Sequence, residues 1–201
     1  MDTIDTNGRS TLGDVFDVST HPNENRDANS GVWVFEPAGG QTGSDVKNGD
    51  IVHLKNLYGE KTYLDTYEHA PAPEKYNVQT SNSPDRDSGS GRWQVQAQSP
   101  RSDGKIMYGD VVHFFNQYGN NGGFLDTCNP STAGAGAKYD VYTSDASARD
   151  GLSGSWRMYE AAPAAVAPAP APPTVPKVTV TGLDCANSWS RSPTRTRHQP
   201  T

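Results

Sequence analysis

A tryptophan closes a glycine-bearing turn three times in this chain, at Trp33, Trp93 and Trp156, with spacings of 60 and 63 residues. Arg26-Asp27, Arg86-Asp87 and Arg149-Asp150 keep the same two spacings. Asp5-Thr6, Asp65-Thr66 and Asp126-Thr127 recur at 60 and 61, and Gly49-Asp50 and Gly109-Asp110 lie 60 apart. Separate landmarks on one period mean an internal repeat. A chain built this way must bury its apolar faces by packing like units together. By the same period, the first unit's Gly-Asp pair would fall before Met1, so unit one is short by that element.

Each complete unit carries four short β-like runs bounded by Gly, Pro, Asn, Asp and Ser clusters. In the second unit these are 51–54, 62–65, 76–80 and 92–95; in the third, 111–114, 123–126, 138–143 and 155–159. The first unit offers only 3–6, 15–19 and 32–35. No amphipathic helix of useful length is visible. The expected fold is all-β, a β-trefoil of three roughly 60-residue four-stranded repeats with the first repeat missing its first strand. A propeller of three blades would fall short of the four or so needed for closure. An open solenoid would leave sheet edges exposed.

The expected binding module spans 1–160, as units 1–45, 46–105 and 106–160. Residues 161–176 form an Ala/Pro-rich spacer that cannot build a core. Residues 177–201 read as a remnant strand, Lys177 to Thr181, followed by a patternless tail. That strand is a candidate to return and occupy the place of the missing one. The spacer implies a module tethered within a larger multidomain chain.

The charge balance narrows the partners. A net charge of -6 with scattered carriers argues against nucleic acid, whose phosphates call for clustered Lys and Arg. No apolar run approaches the roughly 20 residues that span a bilayer. The polar N-terminus shows no signal peptide and leaves the compartment open. Cys128 and Cys185 lack metal-like spacing and read as two unpaired thiols.

Leu64, Leu125 and Ile4 precede the Asp-Thr pairs and read as core, as do Val18, Val78 and Val141. The three tryptophans read as a buried layer, each indole N–H needing a partner. The repeated Asp residues can fix turns or accept from a sugar diol. The repeated Arg residues can donate to loop carbonyls and pair with a neighbouring unit's Asp. The candidate ligand contacts are the polar and aromatic residues of the first hairpin with the following Asp. They are His53, Asn56, Tyr58 and Asp65 in unit two, and His113, Asn116, Tyr118 and Asp126 in unit three. An aromatic face stacks on the apolar side of a pyranose while Asn and Asp bond its hydroxyls. Asn-x-Tyr-Gly is equally a serviceable hairpin turn.

The run Gly49-Asp50-Ile51-Val52-His53-Leu54, followed by Tyr63-Leu64-Asp65 and closing on Trp93-Gln94-Val95, resembles the repeat of MIR-type and ricin-B-like β-trefoils. The likeness covers Ile4 to Glu160. Gly31-Val32-Trp33, Gly91-Arg92-Trp93 and Gly154-Ser155-Trp156 stand where the ricin type has Gln-x-Trp. The resemblance implies carbohydrate or protein binding, often beside an enzyme or toxin domain. The sequence carries no nucleophile elbow, phosphate loop or metal-spaced cluster, and a repeated polar site suits multivalent binding. The resulting expectation is a non-catalytic, lectin-like accessory module without cofactor, monomeric, engaging a carbohydrate or glycoprotein surface. The alternative is a protein-interaction module without sugar affinity.

Overall fold

The computed structural model describes residues 1–5, 14–24, 26–39, 45–59, 62–134 and 136–161. Eleven strands form where β-branched and aromatic residues alternate between turn formers. They are β1 (Asp2–Asp5), β2 (Asp14–Ser19), β3 (Trp33–Pro37), β4 (Ile51–Asn56), β5 (Tyr63–His69), β6 (Tyr76–Ser81), β7 (Trp93–Ala97), β8 (Val111–Asn116), β9 (Gly123–Pro130), β10 (Tyr139–Ser144) and β11 (Trp156–Arg157). A single 3₁₀ turn, Tyr118–Asn120, is the helical content of the described residues.

The side-chain period of two sorts each strand between core and surface. In β4, Val52, Leu54 and Asn56 point inward while Ile51, His53 and Lys55 are half-exposed, and β8 repeats this with Val112, Phe114 and Asn116. Leu54, Leu64, Trp93, Val95, Val112 and Leu125 are fully enclosed at the centre, with Val18, Val78 and Val141 beside them. Apolar burial of this kind supplies the main favourable contribution to folding.

The expected trefoil is not what closes the sheet. The antiparallel ladders run β2–β6–β5–β4–β7–β8–β9–β10 and return to β2, an eight-stranded closed barrel. The physical reason lies in the pairing across units. Among the described residues unit one contributes β1, β2 and β3, and units two and three contribute four strands each. The third strands of the units, β2, β6 and β10, bond to one another and complete the ring. Their registers are Asp17 opposite Gln79, Asp140 opposite Ser19, and Tyr142 opposite Asn77. Among the described residues, β1 pairs only with β2, β3 only with β4, and β11 only with β8. Trp33 and Trp156, on two of these singly paired strands, are half-buried, whereas Trp93 is fully enclosed. The idea that Lys177 to Thr181 supplies a first strand for unit one falls outside the described residues, as do the spacer from 162 and the tail.

The alignment of unit one also moves. Trp93 Nε1 donates to Leu64 O and Trp156 Nε1 to Leu125 O, each at 3.0 Å; Trp33 Nε1 donates to Met1 O at 3.2 Å. Arg26 reaches Asp2 at 2.9 Å, as Arg149 reaches Asp126 at 3.0 Å. The counterpart of Asp65 and Asp126 is therefore Asp2 and not Asp5. The run Met1-Asp2-Thr3-Ile4-Asp5-Thr6 holds two Asp-Thr pairs, and the period alone selected the wrong one.

Candidate functional site

The loops following β4 and β8 are set by one buried side chain each. Asn56 Oδ1 accepts the amide of Tyr58 at 2.9 Å, and Asn116 Oδ1 that of Tyr118 at 3.0 Å. Their Nδ2 groups donate to Ser30 O at 2.9 Å and Ser90 O at 2.8 Å. Both asparagines are completely enclosed. A Cβ at Gly122 would collide with the Asn116 side chain, so only glycine lets the chain pass. Of the two readings open for Asn56 and Asn116, the geometry gives them the turn-fixing part. They are sealed from any ligand.

His53 and His113 serve the turn before the closing tryptophan. Nδ1 donates to Gly91 O in one case and Gly154 O in the other, both at 2.8 Å. A carbonyl only accepts, so Nδ1 carries the proton in each ring. The His53 ring packs edge-on to Tyr63 and the His113 ring edge-on to Phe124.

Asp65 and Asp126 lie beneath the surface under their arginines. Arg86 bonds Thr66 O at 3.0 Å, Asp65 at 3.4 Å and Asp87 at 3.2 Å. Arg149 bonds Thr127 O and Asp126, and reaches back to Glu74 of the preceding unit at 3.2 Å. Thr66 Oγ1 and Thr127 Oγ1 donate to Ser90 O and Ser153 O. Burial pushes the Asp65 carboxyl up to about 7, against the opposing pull of Arg86 and Ser90. These carboxylates hold the loop from within, and the arginines lie between them and solvent.

The tyrosines diverge from the other candidates. Tyr58 is half-buried and packs edge-on to Phe16, with ring centroids 5.4 Å apart. Tyr118 is 36% exposed and stands edge-on to Tyr76 at 5.6 Å. Tyr76 in turn stacks on His69 at 4.8 Å with 28° between the planes. Tyr118, Tyr76, His69, Glu68, Arg86 and Asp87 surround an open cleft of about 110 Å³. Its floor is Thr66 and Tyr67, with the Arg86 guanidinium 5.4 Å from the Tyr67 ring centre.

A second cleft, of about 490 Å³, opens at the equivalent place in unit three. It is bounded by Thr127, Asn129, Tyr139, Arg149, Asp150 and Leu152, with Cys128 and Ser153 at its base. The Cys128 thiol is pushed up to about 11 by burial and by the adjacent Glu74 carboxylate, which keeps it protonated. Among the described residues no three His, Cys, Asp or Glu side chains converge on a metal-sized site.

Of the eight residues singled out from the sequence, Tyr118 is the one that lines either of these two clefts. His69, Tyr76, Arg86 and Asp87 were missed as cleft residues. A signal for the aromatic wall existed. Phe16, Tyr76 and Tyr139 recur at 60 and 63 residues, the same spacings as the tryptophans, and each meets the surface beside an Arg-Asp loop or a tyrosine loop.

No protein-family model matches the chain, and no curated protein matches it. Solved structures do. The SDF2-like protein of Arabidopsis thaliana is 20% identical over 67% of this chain and 74% of that one, with a TM-score of 0.49. A Caenorhabditis elegans protein with unknown function is 19% identical over 78% of this chain and 90% of that one, TM-score 0.56. A chain of the Saccharomyces cerevisiae protein O-mannosyltransferase Pmt1-Pmt2 complex bound to the sugar donor is 16% identical, TM-score 0.56. It matches 72% of this chain, which spans 21% of the yeast chain. At these identities the likeness is one of fold alone.

Proposed function

We propose that the chain is a non-catalytic carbohydrate-binding module whose contacts centre on the cleft under Tyr118. One observation carries the reading: three ring systems, Tyr118, Tyr76 and His69, stand together at an open surface beside a charged pair, Arg86 and Asp87. Ring faces suit the C–H face of a pyranose, and the neighbouring charged groups suit its hydroxyls. The wall is prepared before any ligand arrives, because Asn116 fixes the loop and Arg86 fixes the floor, which lowers the entropy cost of binding. The fold likeness to a chain of a sugar-handling complex is compatible with this reading.

The test is a titration with mannose and glucose oligosaccharides followed by amide chemical shifts. Shifts confined to residues around Tyr118 and Tyr76, lost in Tyr118→Ala, support the reading. A well-folded protein that shows no shift with any sugar rejects it.

A protein-binding role is the second reading, and a different patch favours it. Met107, Tyr108 and Tyr159 are 51%, 65% and 64% exposed, and the Gly109 N–H donation to Met158 O ties their two segments together. Clustered exposed aromatic and Met side chains suit a protein partner. Substituting Tyr108 and Tyr159 by Ser would leave sugar titrations unchanged while abolishing a protein complex that depended on this patch.

A further inference from the structure

The two clefts share a frame but not a shape. Each is floored by the strand that carries the Asp-Thr pair and roofed by the Arg-Asp loop. The frame bonds recur in pairs: Arg86 to Thr66 O and Arg149 to Thr127 O, Asp87 N to Ser90 Oγ and Asp150 N to Ser153 Oγ. Tyr76 and Tyr139 stand at matching places at the start of β6 and β10. The difference is the lid. In unit two, Tyr118 from the next unit's hairpin closes the cleft against Tyr76, leaving about 110 Å³. Among the described residues no aromatic ring pairs with Tyr139, which is 40% exposed, and the opening is about 490 Å³. Its outer wall is Leu152, 71% exposed.

Resting on the sugar-binding reading, we infer that the cleft between Tyr139 and Leu152 is a second and larger glycan subsite, which takes two or more linked sugar rings. The cleft under Tyr118 takes one. A volume near 490 Å³ lies inside the range of about 300–1,000 Å³ usual for small-molecule sites, and the Tyr118 cleft lies below it. The polar groups of the larger cleft are already set. Arg149 is held by Asp126, Glu74, the Thr127 carbonyl and, at 3.3 Å, Asp150 Oδ2, so the exposed side of the Asp150 carboxylate and Asn129 at the mouth supply the exchangeable hydrogen bonds. Leu152 and the Tyr139 ring supply the apolar contacts. The two sites are therefore unequal.

The experiment is an amide-shift titration of the full chain with mannose, mannobiose and mannotriose, in the wild type and in Tyr139→Ala and Leu152→Ala. Leu152 is a surface residue, so its substitution tests the site without threatening the fold. Two separable sets of shifts are expected, one around Tyr118 and one around Tyr139. At the Tyr139 cleft the dissociation constant should fall roughly tenfold from mannose to mannotriose, equal to about 1.4 kcal/mol of added contact. At the Tyr118 cleft it should hardly change. Both variants should lose the Tyr139 set and keep the Tyr118 set. Shifts around Tyr118 alone, or equal length dependence at both clefts, overturn the inference while leaving the sugar-binding reading in place. Shifts at neither cleft overturn both.

Discussion

Asn116 Oδ1 accepts the backbone N–H of Tyr118 at 3.0 Å, so a fully enclosed amide decides where an exposed ring stands. The Asn-x-Tyr-Gly run thus divides its labour between support and contact. Its asparagine belongs to the core and its tyrosine to the surface.

Asn116→Ala should cost stability, because Ser90 O and the Tyr118 amide each lose a partner inside the protein. A loss of about 1–3 kcal/mol in urea unfolding is expected. Weaker sugar binding should accompany it, since the ring is no longer held. Unchanged stability would mean that the asparagine does not carry the loop.

Tyr118→Ala should behave in the opposite way. The ring is exposed and its loss should change stability by no more than about 0.5 kcal/mol. Sugar affinity at its cleft should fall beyond detection. A large drop in unfolding midpoint would make Tyr118 a packing residue.

The three tryptophans occupy equivalent positions and should not be energetically equivalent. Trp93→Ala empties a fully enclosed space and should cost about 3–5 kcal/mol. Trp33 and Trp156 border the singly paired strands and are half-buried, so their substitution should cost less. Equal losses at all three in denaturant unfolding would contradict the looser packing of Trp33 and Trp156.

Asp65 gives a pH signature. Its folded carboxyl sits at about 7, against about 3.9 in an unfolded chain. Between those values the folded protein holds a proton that the unfolded chain releases. The Asp65 contribution is therefore present at pH 4 and declines as pH rises toward 7. Asp65→Asn removes the titration. Unfolding midpoints of wild type and Asp65→Asn, measured from pH 4 to 8, should show the wild type losing ground through that window. Parallel profiles would show that Arg86 keeps the carboxylate ionised throughout.

Much of the fold was legible in the sequence because the β pattern is local. The eleven strands of the described residues lie at or within a few residues of the expected runs, and Val18, Val78, Val141, Leu64 and Leu125 are buried as their periodicity requires. Ring closure was not legible, since it depends on which strands meet across units once unit one supplies three. The Asp-Thr pair of unit one was misplaced for a simpler reason: Asp2-Thr3 and Asp5-Thr6 are alike in sequence, and it is Asp2 and the Thr3 carbonyl that Arg26 bonds. The candidate site was half legible. Chemistry suited to sugar drew attention to Asn56, Asn116, Asp65 and Asp126, but burial, which residue type does not encode, turned those groups inward. Tyr76 and His69 stand together through register between β5 and β6, where Tyr76 faces His69 across a bulge. That pairing is a tertiary fact, although the recurrence of Phe16, Tyr76 and Tyr139 announced the aromatic wall.

The central claim is that the aromatic cleft holds a sugar ring. The most direct test is a mannose titration read at the Tyr118 and Tyr76 side chains, with Tyr118→Ala and Tyr76→Ala measured alongside. Saturable perturbation of both rings in the wild type, absent from both variants while each remains folded, is the predicted result. Sugar binding that persists unchanged in both variants, or perturbation located away from the two rings, would contradict it.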